Sequence, residues 1–290
     1  MGYKIIVLAK QVPDTRNVGK NAMRADGTVN RGVLPAIFNP EDLNALEQAL
    51  LIKDKYKNSE ITVLTMGPPR AADIIRDCLF RGVDRGYLIT DRRFAGADTL
   101  ATSYVISKAI KRIEPFDIIL SGRQAIDGDT AQVGPQTAEF LNIPQVTYAE
   151  EIQEIKKNRI QIKRRLERGS ETVRSQLPVL ITVHGSAAKC RPQNAKLIMK
   201  YKYARTNTEL QASSEDYFTS FKDRPYLNIE ELNLDDLGCD IEKVGLKGSP
   251  TKVKSIENVV MKSKDSKILN ASSRDLKGLI RTLLESRVVG

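Results

Sequence analysis

The 290-residue sequence has few of the residues that build a metal site or a disulfide framework. It holds one histidine, His184, and no CxxC pair, so we expect no structural zinc site. Its three cysteines, Cys78, Cys190 and Cys239, are far apart, which predicts free thiols in a reducing compartment, the cytoplasm. No run of 18 apolar residues is present, so no membrane span is expected. The apolar part of residues 1–9 is too short for a signal peptide and predicts a strand.

Two nucleotide-binding signatures are also missing. The first predicted strand is not followed by GxGxxG, and there is no P-loop. No nucleophile–histidine arrangement stands out, and His184 follows an apolar strand, which favours a structural or surface role over catalysis. We therefore expect no catalytic residues in this chain.

Positive charge is in excess, with 46 lysines and arginines against 36 acidic residues. Part of this excess lies in residues 156–168, where basic and apolar residues alternate as in a strand. A solvated sheet face is the favoured interpretation. An acidic protein partner and, less favoured, a nucleic-acid groove remain as alternatives.

Strand and helix patterns alternate through the first half of the chain. This alternation predicts an α/β fold with a doubly wound, mostly parallel sheet and right-handed connections. Asn39 and Pro40 are expected to begin a helix, with Asn39 as its N-cap. The predicted strands are 4–9, 61–65, 86–90 and 116–120, and the predicted helices follow residues 39, 71 and 98.

The pattern changes near residue 145. Alternating residues around Lys157 and Asn158 predict an antiparallel hairpin, which residues 171–175 and 179–183 are expected to extend. A tight turn is predicted at Asp26 and Gly27. Residues 185–268 have weak periodicity and are expected to form an extended excursion. An amphipathic helix capped by Ser272 then places Leu276, Leu279, Ile280, Leu283 and Leu284 on one stripe.

Residues 121–137 are the most informative stretch. They follow a buried-strand pattern and precede a helix pattern, so most of residues 122–134 should be a loop at the carboxyl end of a strand, where open α/β sheets bind ligands. Gly122 and Gly128 let the backbone approach a ligand closely, and Thr130 and Ala131 can present N–H groups to a phosphate near a helix start.

Four other residues fall at the same predicted edge: Ala9, Asn39, Thr65 and Met66. They end strands or begin helices, and these positions converge in a doubly wound sheet. Ala9 is small enough for an adenine to lie against the strand end. A single adenine nucleotide across this edge is the ligand that the pattern favours.

The loop sequence, GRQAIDGDTAQVGP, resembles the nucleotide loop of the β subunit of electron-transfer flavoproteins. Three further motifs resemble that subunit in the right order: VLAKQVPDT at 7–15, NPED at 39–42 with Ala45 and Glu47, and Gly67-Pro68. The resemblance covers residues 3–205 firmly and the tail more loosely. It implies an adenine-nucleotide hydrolase-like fold without hydrolysis.

In this family the site holds either a structural AMP or, in the electron-bifurcating group, a second FAD. Gly128 resembles the bifurcating type, because AMP-type loops carry an acidic residue there. The resemblance and the sheet edge together predict a cofactor site lined by Ala9, Asn39, Thr65, Met66, Gly122, Gln124, Asp127, Gly128, Thr130, Ala131, Gln132 and Val133.

Residues 189–203, KCRPQNAKLIMKYKY, resemble the family's recognition loop, which inserts a leucine into a partner dehydrogenase. Leu197, with Ile198 and Met199, matches this apolar anchor. The alternative is that these three side chains belong to the core. Residues 206–290 are expected to form an arm whose last helix packs on the partner subunit, with folding back onto its own sheet as the alternative.

We therefore expect residues 1–205 to form a nucleotide-binding domain with a hairpin extension at 145–184. The resemblance implies a heterodimer with an α subunit that carries electrons from NADH to an acyl-CoA dehydrogenase and to ferredoxin or flavodoxin. Oxidoreductase activity would then belong to the complex alone. A simple carrier with AMP is the runner-up, and a stand-alone adenine-nucleotide sensor is a more distant alternative.

Overall fold

The computed structural model describes residues 2–14, 35–212, 224–251, 268–286 and 288. The turn predicted at Asp26 and Gly27 lies outside these ranges. In chain order the strands are β1 (Lys4–Leu8), β2 (Gln11–Pro13), β3 (Ala36–Phe38), β4 (Glu60–Met66), β5 (Arg85–Ile89), β6 (Ile118–Gly122), β7 (Gln145–Lys156), β8 (Arg159–Leu166), β9 (Gly169–Gln176), β10 (Val179–Val183), β11 (Arg205–Thr206) and β12 (Asn228–Leu232). The α-helices are α1 (Pro40–Lys55), α2 (Ala72–Arg81), α3 (Thr99–Arg112), α4 (Val133–Leu141), α5 (Ala195–Tyr201), α6 (Asn207–Ala212) and α7 (Ser273–Glu285).

Ten of the strands form one sheet in the order β11-β12-β5-β4-β1-β6-β10-β7-β8-β9. Pairing is parallel from β11 across to β7, and antiparallel in the β7-β8-β9 meander. The expected mostly parallel, doubly wound sheet is confirmed. It has a hydrophobic cluster on each face, as strands buried on both sides require.

The helices pack on the sheet through the apolar residues that recur along one side of each helix. On α1, Leu46 and Leu50 are buried against the sheet, as expected. Cys78 on α2 is fully buried in the same cluster. The three thiols are free, and burial raises the pKa of Cys78 well above its ordinary value.

Two expectations about the second half of the chain differ from the structure. β10 does not extend the antiparallel hairpin, because it lies between β6 and β7 and pairs with both in parallel. Its five residues are all buried, as a central strand requires. β12 lies within the expected excursion, yet it pairs with β5 and widens the sheet. Leu234 and Val244 after it join the cluster that contains α3.

The last helix forms as predicted. The Ser272 hydroxyl accepts a hydrogen bond from the backbone N–H of Asp275, at 3.2 Å. None of the helices in the described part of the chain combines the length and apolar character of a membrane span.

Candidate nucleotide-binding site

The topology places a crevice at the carboxyl ends of β1 and β6. After β1 the chain runs through α1 to β4 on one side, whereas after β6 it runs through α4 to the other side. Residues of α1 belong to one hydrophobic cluster and Ala138 of α4 to the other, so these helices cover opposite faces. Adjacent strands with diverging connections define the crevice in which open α/β sheets bind ligands.

The predicted residues at the ends of β1 and β4 lie at this edge. Ala9 is buried, and its N–H donates to the carbonyl of Leu64 at 3.0 Å. Thr65 is fully buried and Met66 is half-buried at the end of β4. The small Ala9 and the polar Thr65, both predicted from the sequence, therefore lie at the ends of two neighbouring strands.

Two buried hydroxyls at this edge have no hydrogen-bond partner among the described residues: Thr65 Oγ1 and Ser121 Oγ. Ser121 lies beneath the first turn of α4, where a Cβ built on Gly134 would be 3.1 Å from its Oγ. Buried polar atoms are nearly always paired, so these two hydroxyls are candidate contacts for polar atoms of a ligand. Sequence analysis selected Thr65 but not Ser121, although Ser121 opens the 121–137 stretch.

The N-terminus of α4 is available to an anion. Within the described ranges, Gln132 at its N-cap makes no capping hydrogen bond, and its side chain instead meets Thr99 Oγ1 at 2.9 Å. By contrast, the N-cap Asp98 of α3 accepts from the N–H of Ala101 at 3.0 Å. The unpaired N–H groups in the first turn of α4 are donors of the kind that bind phosphates.

Between β6 and α4 runs the nucleotide loop, residues 123–132. Most of residues 122–134 are thus loop, as predicted, with Gly122 ending β6 and Val133 beginning α4. Asp129 and Ala131 have φ values of 50° and 54°, a left-handed conformation that reorients successive N–H groups.

The two carboxylates of the loop are engaged by neighbours. Asp127 pairs with Lys10 Nζ at 2.7 Å, and Asp129 accepts from Gln124 Nε2 at 2.8 Å. Gly128 between them is exposed, as is Thr130, and no described atom lies within 4 Å of a Cβ built at Gly128. A side chain there would point into open space, where a ligand's phosphates can lie.

The loop is held by the first turn of α1, through Asn39, Glu41 and Asp42. Asn39 is the N-cap residue but makes no capping hydrogen bond with its side chain. Its amide donates to the carbonyl of Gln124 at 2.9 Å and accepts from the N–H of Ile126 at 3.2 Å. Asn39 is thus the N-cap residue, as predicted, but its amide binds the loop instead of the N–H groups of α1.

Glu41 and Asp42 bind the backbone on either side of the crevice. Glu41 accepts from the N–H of Gln124 at 3.1 Å and pairs with Arg123 at 2.9 Å. Asp42 accepts from the N–H groups of Lys10 and Gly122, both at 2.9 Å. Both acids lie in the first turn of α1, where the helix dipole alone would account for them. The acidic NPED motif was their one signal, since the partners Gly122 and Gln124 lie some 80 residues away in the chain.

The predicted partner-binding residues lie elsewhere, on α5. Asn194 caps this helix by accepting from the N–H of Lys196 at 2.9 Å. Leu197 and Ile198 are half-buried, and Leu197 packs against the core cluster. Met199 is the most exposed of the three, at 64%. The structure thus separates an inward Leu197 from an outward Met199.

The donor set of the crevice fits an adenine nucleotide. It combines the small Ala9, unpaired hydroxyls at the ends of β4 and β6, and free N–H groups at the start of α4. These features are typical of an α/β nucleotide-binding protein.

The comparisons with known proteins agree with this class. Residues 26–208 match the family described as the electron transfer flavoprotein domain. The chain is 42% identical over 250 residues to the electron transfer flavoprotein subunit beta of Clostridium acetobutylicum, covering 86% of each chain. It is 41% identical over 250 residues to the caffeyl-CoA reductase-Etf complex subunit CarD of Acetobacterium woodii, again covering 86% of each. It is 38% identical over 289 residues to the acryloyl-CoA reductase electron transfer subunit gamma of Anaerotignum propionicum, covering 99% of this chain and 100% of the other.

The chain belongs to the electron-transfer flavoprotein family, as a β subunit.

Proposed function

We propose that the chain is the β subunit of a flavin-bifurcating electron-transfer flavoprotein and that its crevice binds FAD. The observation that carries this proposal is the unpaired buried hydroxyl of Ser121 beneath the uncapped first turn of α4, with a second unpaired hydroxyl, that of Thr65, at the end of β4 along the same sheet edge. A ligand with a polar nucleoside part and a pyrophosphate supplies partners to all of these groups.

In this assignment two groups of residues would contact different parts of the ligand. Ala9, Asn39, Thr65 and Met66 would hold the adenosine part. Gly122, Gln124, Asp127, Gly128, Thr130, Ala131, Gln132 and Val133 would surround the phosphates. The chain binds and orients; FAD, when bound, supplies the redox chemistry that divides two electrons from NADH between the α-subunit flavin and ferredoxin or flavodoxin.

The choice of FAD over AMP rests on Gly128. This position is open, and it carries neither a charge nor a side chain that would oppose a pyrophosphate. The neighbouring carboxylates of Asp127 and Asp129 are engaged by Lys10 and Gln124, which lowers their repulsion of phosphates.

AMP is the second candidate. The predicted adenosine end is buried at Ala9, Asn39 and Thr65, whereas Gly128 and Thr130 are exposed. A small nucleotide filling only the buried end would satisfy Thr65. The chain would then serve a non-bifurcating carrier.

The partners follow from the family and from two surfaces. The names of two relatives associate them with a caffeyl-CoA reductase and an acryloyl-CoA reductase, which supports an acyl-CoA dehydrogenase as the electron acceptor here. We assign residues 189–203, with Leu197, Ile198 and Met199, to that partner. We assign α7, the last element of the 206–290 segment, to the α subunit, and the free thiols support a cytoplasmic complex.

Cofactor counting tests the proposal. The α/β complex is purified, its cofactors are extracted with acid, and FAD and AMP are quantified per heterodimer. Two FAD are expected. One FAD and one AMP would overturn bifurcation and leave the simple carrier. A chain that forms no heterodimer but binds an adenine nucleotide would favour the stand-alone sensor.

A further inference from the structure

The carboxylate of Asp42 joins the two strands that flank the crevice. Its Oδ2 accepts from the N–H of Lys10, which follows β1, and its Oδ1 accepts from the N–H of Gly122, which ends β6. Both N···O distances are 2.9 Å. A Cβ at Gly122 would lie 2.4 Å from Oδ1, so the glycine is needed for this contact. One side chain therefore bridges the backbone just beyond the paired part of β1 and β6.

Asp42 has little charge compensation. It is 6% exposed, and no ion pair to it is formed within the described residues, since the Lys10 ammonium lies on Asp127 instead. Burial raises the pKa of Asp42 to about 7, against the opposing effect of hydrogen bonds from Asn39, Lys10 and Gly122. Both protonation states are thus accessible near neutral pH.

The two states differ in hydrogen-bonding capacity. Both backbone partners are N–H donors, and only the ionised carboxylate offers two full acceptor oxygens. A protonated carboxyl group would direct its own O–H toward one of these donors. One of the two contacts would then be lost, and the strand end it holds would be released.

We propose that Asp42 is a positioning residue for the nucleotide site, and that it holds Lys10 and Gly122 in the binding arrangement only while its carboxyl group is ionised. Nucleotide affinity is thereby coupled to pH. This inference rests on the proposed function, because it concerns the same crevice. Asp42 acts through the backbone N–H groups of Lys10 and Gly122.

The charged groups around Asp42 set the background of this titration. Lys10 follows β1, Glu41 precedes Asp42 on α1, and Arg123 follows β6 and pairs with Glu41. The charge of Asp42 also contributes to the raised pKa of Cys78 on α2. His184 is the chain's one histidine, and it stacks on Tyr148, whose ring lies 5.5 Å from the Arg123 guanidinium. An experiment must therefore distinguish an effect of His184 on the pH profile from an effect of Asp42.

The test is FAD titration into the stripped α/β complex between pH 6 and pH 8.5. The pyrophosphate of FAD does not change charge in this range. Wild-type affinity should weaken as pH falls through about 7, by about tenfold, the value of one hydrogen bond to a charged group. Asp42→Asn should be weak by about the same factor at pH 8.5, with a flat profile, because its amide offers one acceptor and turns a donor toward the other N–H.

Two control variants separate the explanations. Glu47→Gln changes another buried carboxylate of α1, one that binds Arg191 instead of the crevice, and should keep the wild-type affinity and profile. His184→Gln should keep the profile too. A profile abolished by His184→Gln and kept by Asp42→Asn would overturn the proposal.

Other outcomes are equally decisive. If Asp42→Asn binds FAD with the affinity and pH profile of the wild type, Asp42 has no positioning role. If Asp42→Asn fails to fold, a wild-type profile that is flat from pH 6 to pH 8.5 overturns the proposal by itself. Should AMP be the resident ligand, the same comparison of wild type and variant is made with AMP, which keeps the Asp42 question separate from the choice of nucleotide. A stripped complex that binds neither nucleotide at any pH refutes the proposed site itself.

Discussion

Arg191 and Glu47 connect segment 189–203 to α1. The Arg191 guanidinium lies 2.8 Å from Glu47 Oε1 on α1, and the backbone N–H of Arg191 donates to Oε2 at 2.9 Å. The hydrogen bonds to Glu47, with a second ion pair to Asp54, raise the pKa of Arg191. The start of segment 189–203 is therefore anchored, and α5 is presented from a rigid base.

Leu197 and Met199 both lie on this anchored helix, but they differ in exposure and are therefore expected to differ in role. Met199→Ala should slow electron delivery to the dehydrogenase without changing the melting temperature, because Met199 is exposed. Loss of a central apolar contact typically costs about 2 kcal/mol or more, roughly a thirtyfold loss of affinity. Leu197→Ala should also lower the melting temperature, because Leu197 packs on the core.

Stopped-flow kinetics with the dehydrogenase, alongside thermal melting, check both variants. Normal kinetics per folded molecule in both would place the partner surface elsewhere. A thermally destabilised Met199→Ala would contradict the outward position of this side chain.

Gly128 separates a flavin site from an AMP site. Gly128→Asp should weaken FAD in the β site by roughly 1–3 kcal/mol, because a poorly compensated charge is added beside the pyrophosphate. Gly128→Ala adds bulk without charge and is the matched control, expected to weaken FAD less because no described atom is near a Cβ there.

Equilibrium titration of FAD into stripped complex measures both variants, with the α-site flavin as an internal reference. Equal affinity of wild type and Gly128→Asp at the β site would mean that position 128 faces away from the ligand.

Asp42 also predicts how stability depends on pH. Its folded-state pKa of about 7 lies above the ordinary 3.8, so between these values the folded chain holds a proton that the unfolded chain has lost. Stability should therefore fall as pH rises through this window and level off above pH 7. Between pH 5 and pH 7 the free energy of unfolding should fall by about 2 kcal/mol through this one group.

Melting of the ligand-stripped α/β complex at pH 5, 6, 7 and 8 tests this, with Asp42→Asn as the comparison. The variant's melting temperature should gain on the wild type as pH rises. A constant difference between the two would show that Asp42 does not titrate in this window. The carboxylate would thus lower the stability of the stripped fold while preparing it for the ligand, a trade common at functional sites.

Much of this architecture was predictable from local patterns, and the reasons are visible at particular residues. Buried apolar runs predicted β1 and β4, and Asp98 marked the start of α3, because strand burial and capping are local properties. β10 and β12 were not placed correctly. The four apolar residues and one threonine of β10 carry no information about which strands they join, and pairing partners are set by the whole topology.

The site shows the same division. Its loop, Thr65 and Asn39 could be selected because carboxyl ends of parallel strands converge. The role of Asp42 could not, since a carboxylate in a helix's first turn has a sufficient local explanation in the helix dipole. Only the fold reveals that its oxygens reach backbone groups of β6 and of the segment after β1.

The exposed stripe of α7 should be the docking face for the α subunit. Leu276, Ile280 and Leu284 are 50%, 56% and 54% exposed, and Leu279 adds to the same face. An amphipathic helix exposing such a face is suited to pairing with an apolar groove on a partner.

Ile280→Gln combined with Leu276→Gln should weaken the heterodimer at least tenfold, since both side chains lie on the stripe. Arg281→Gln is the matched control, because Arg281 lies on the same helix and contacts only Glu285 among the described residues. Analytical ultracentrifugation at decreasing concentration measures the dissociation constant, and flavin content of the separated chains shows whether each stays folded. A double variant that dimerises like the wild type, or one that loses its nucleotide before it loses its partner, would place α7 on its own sheet instead.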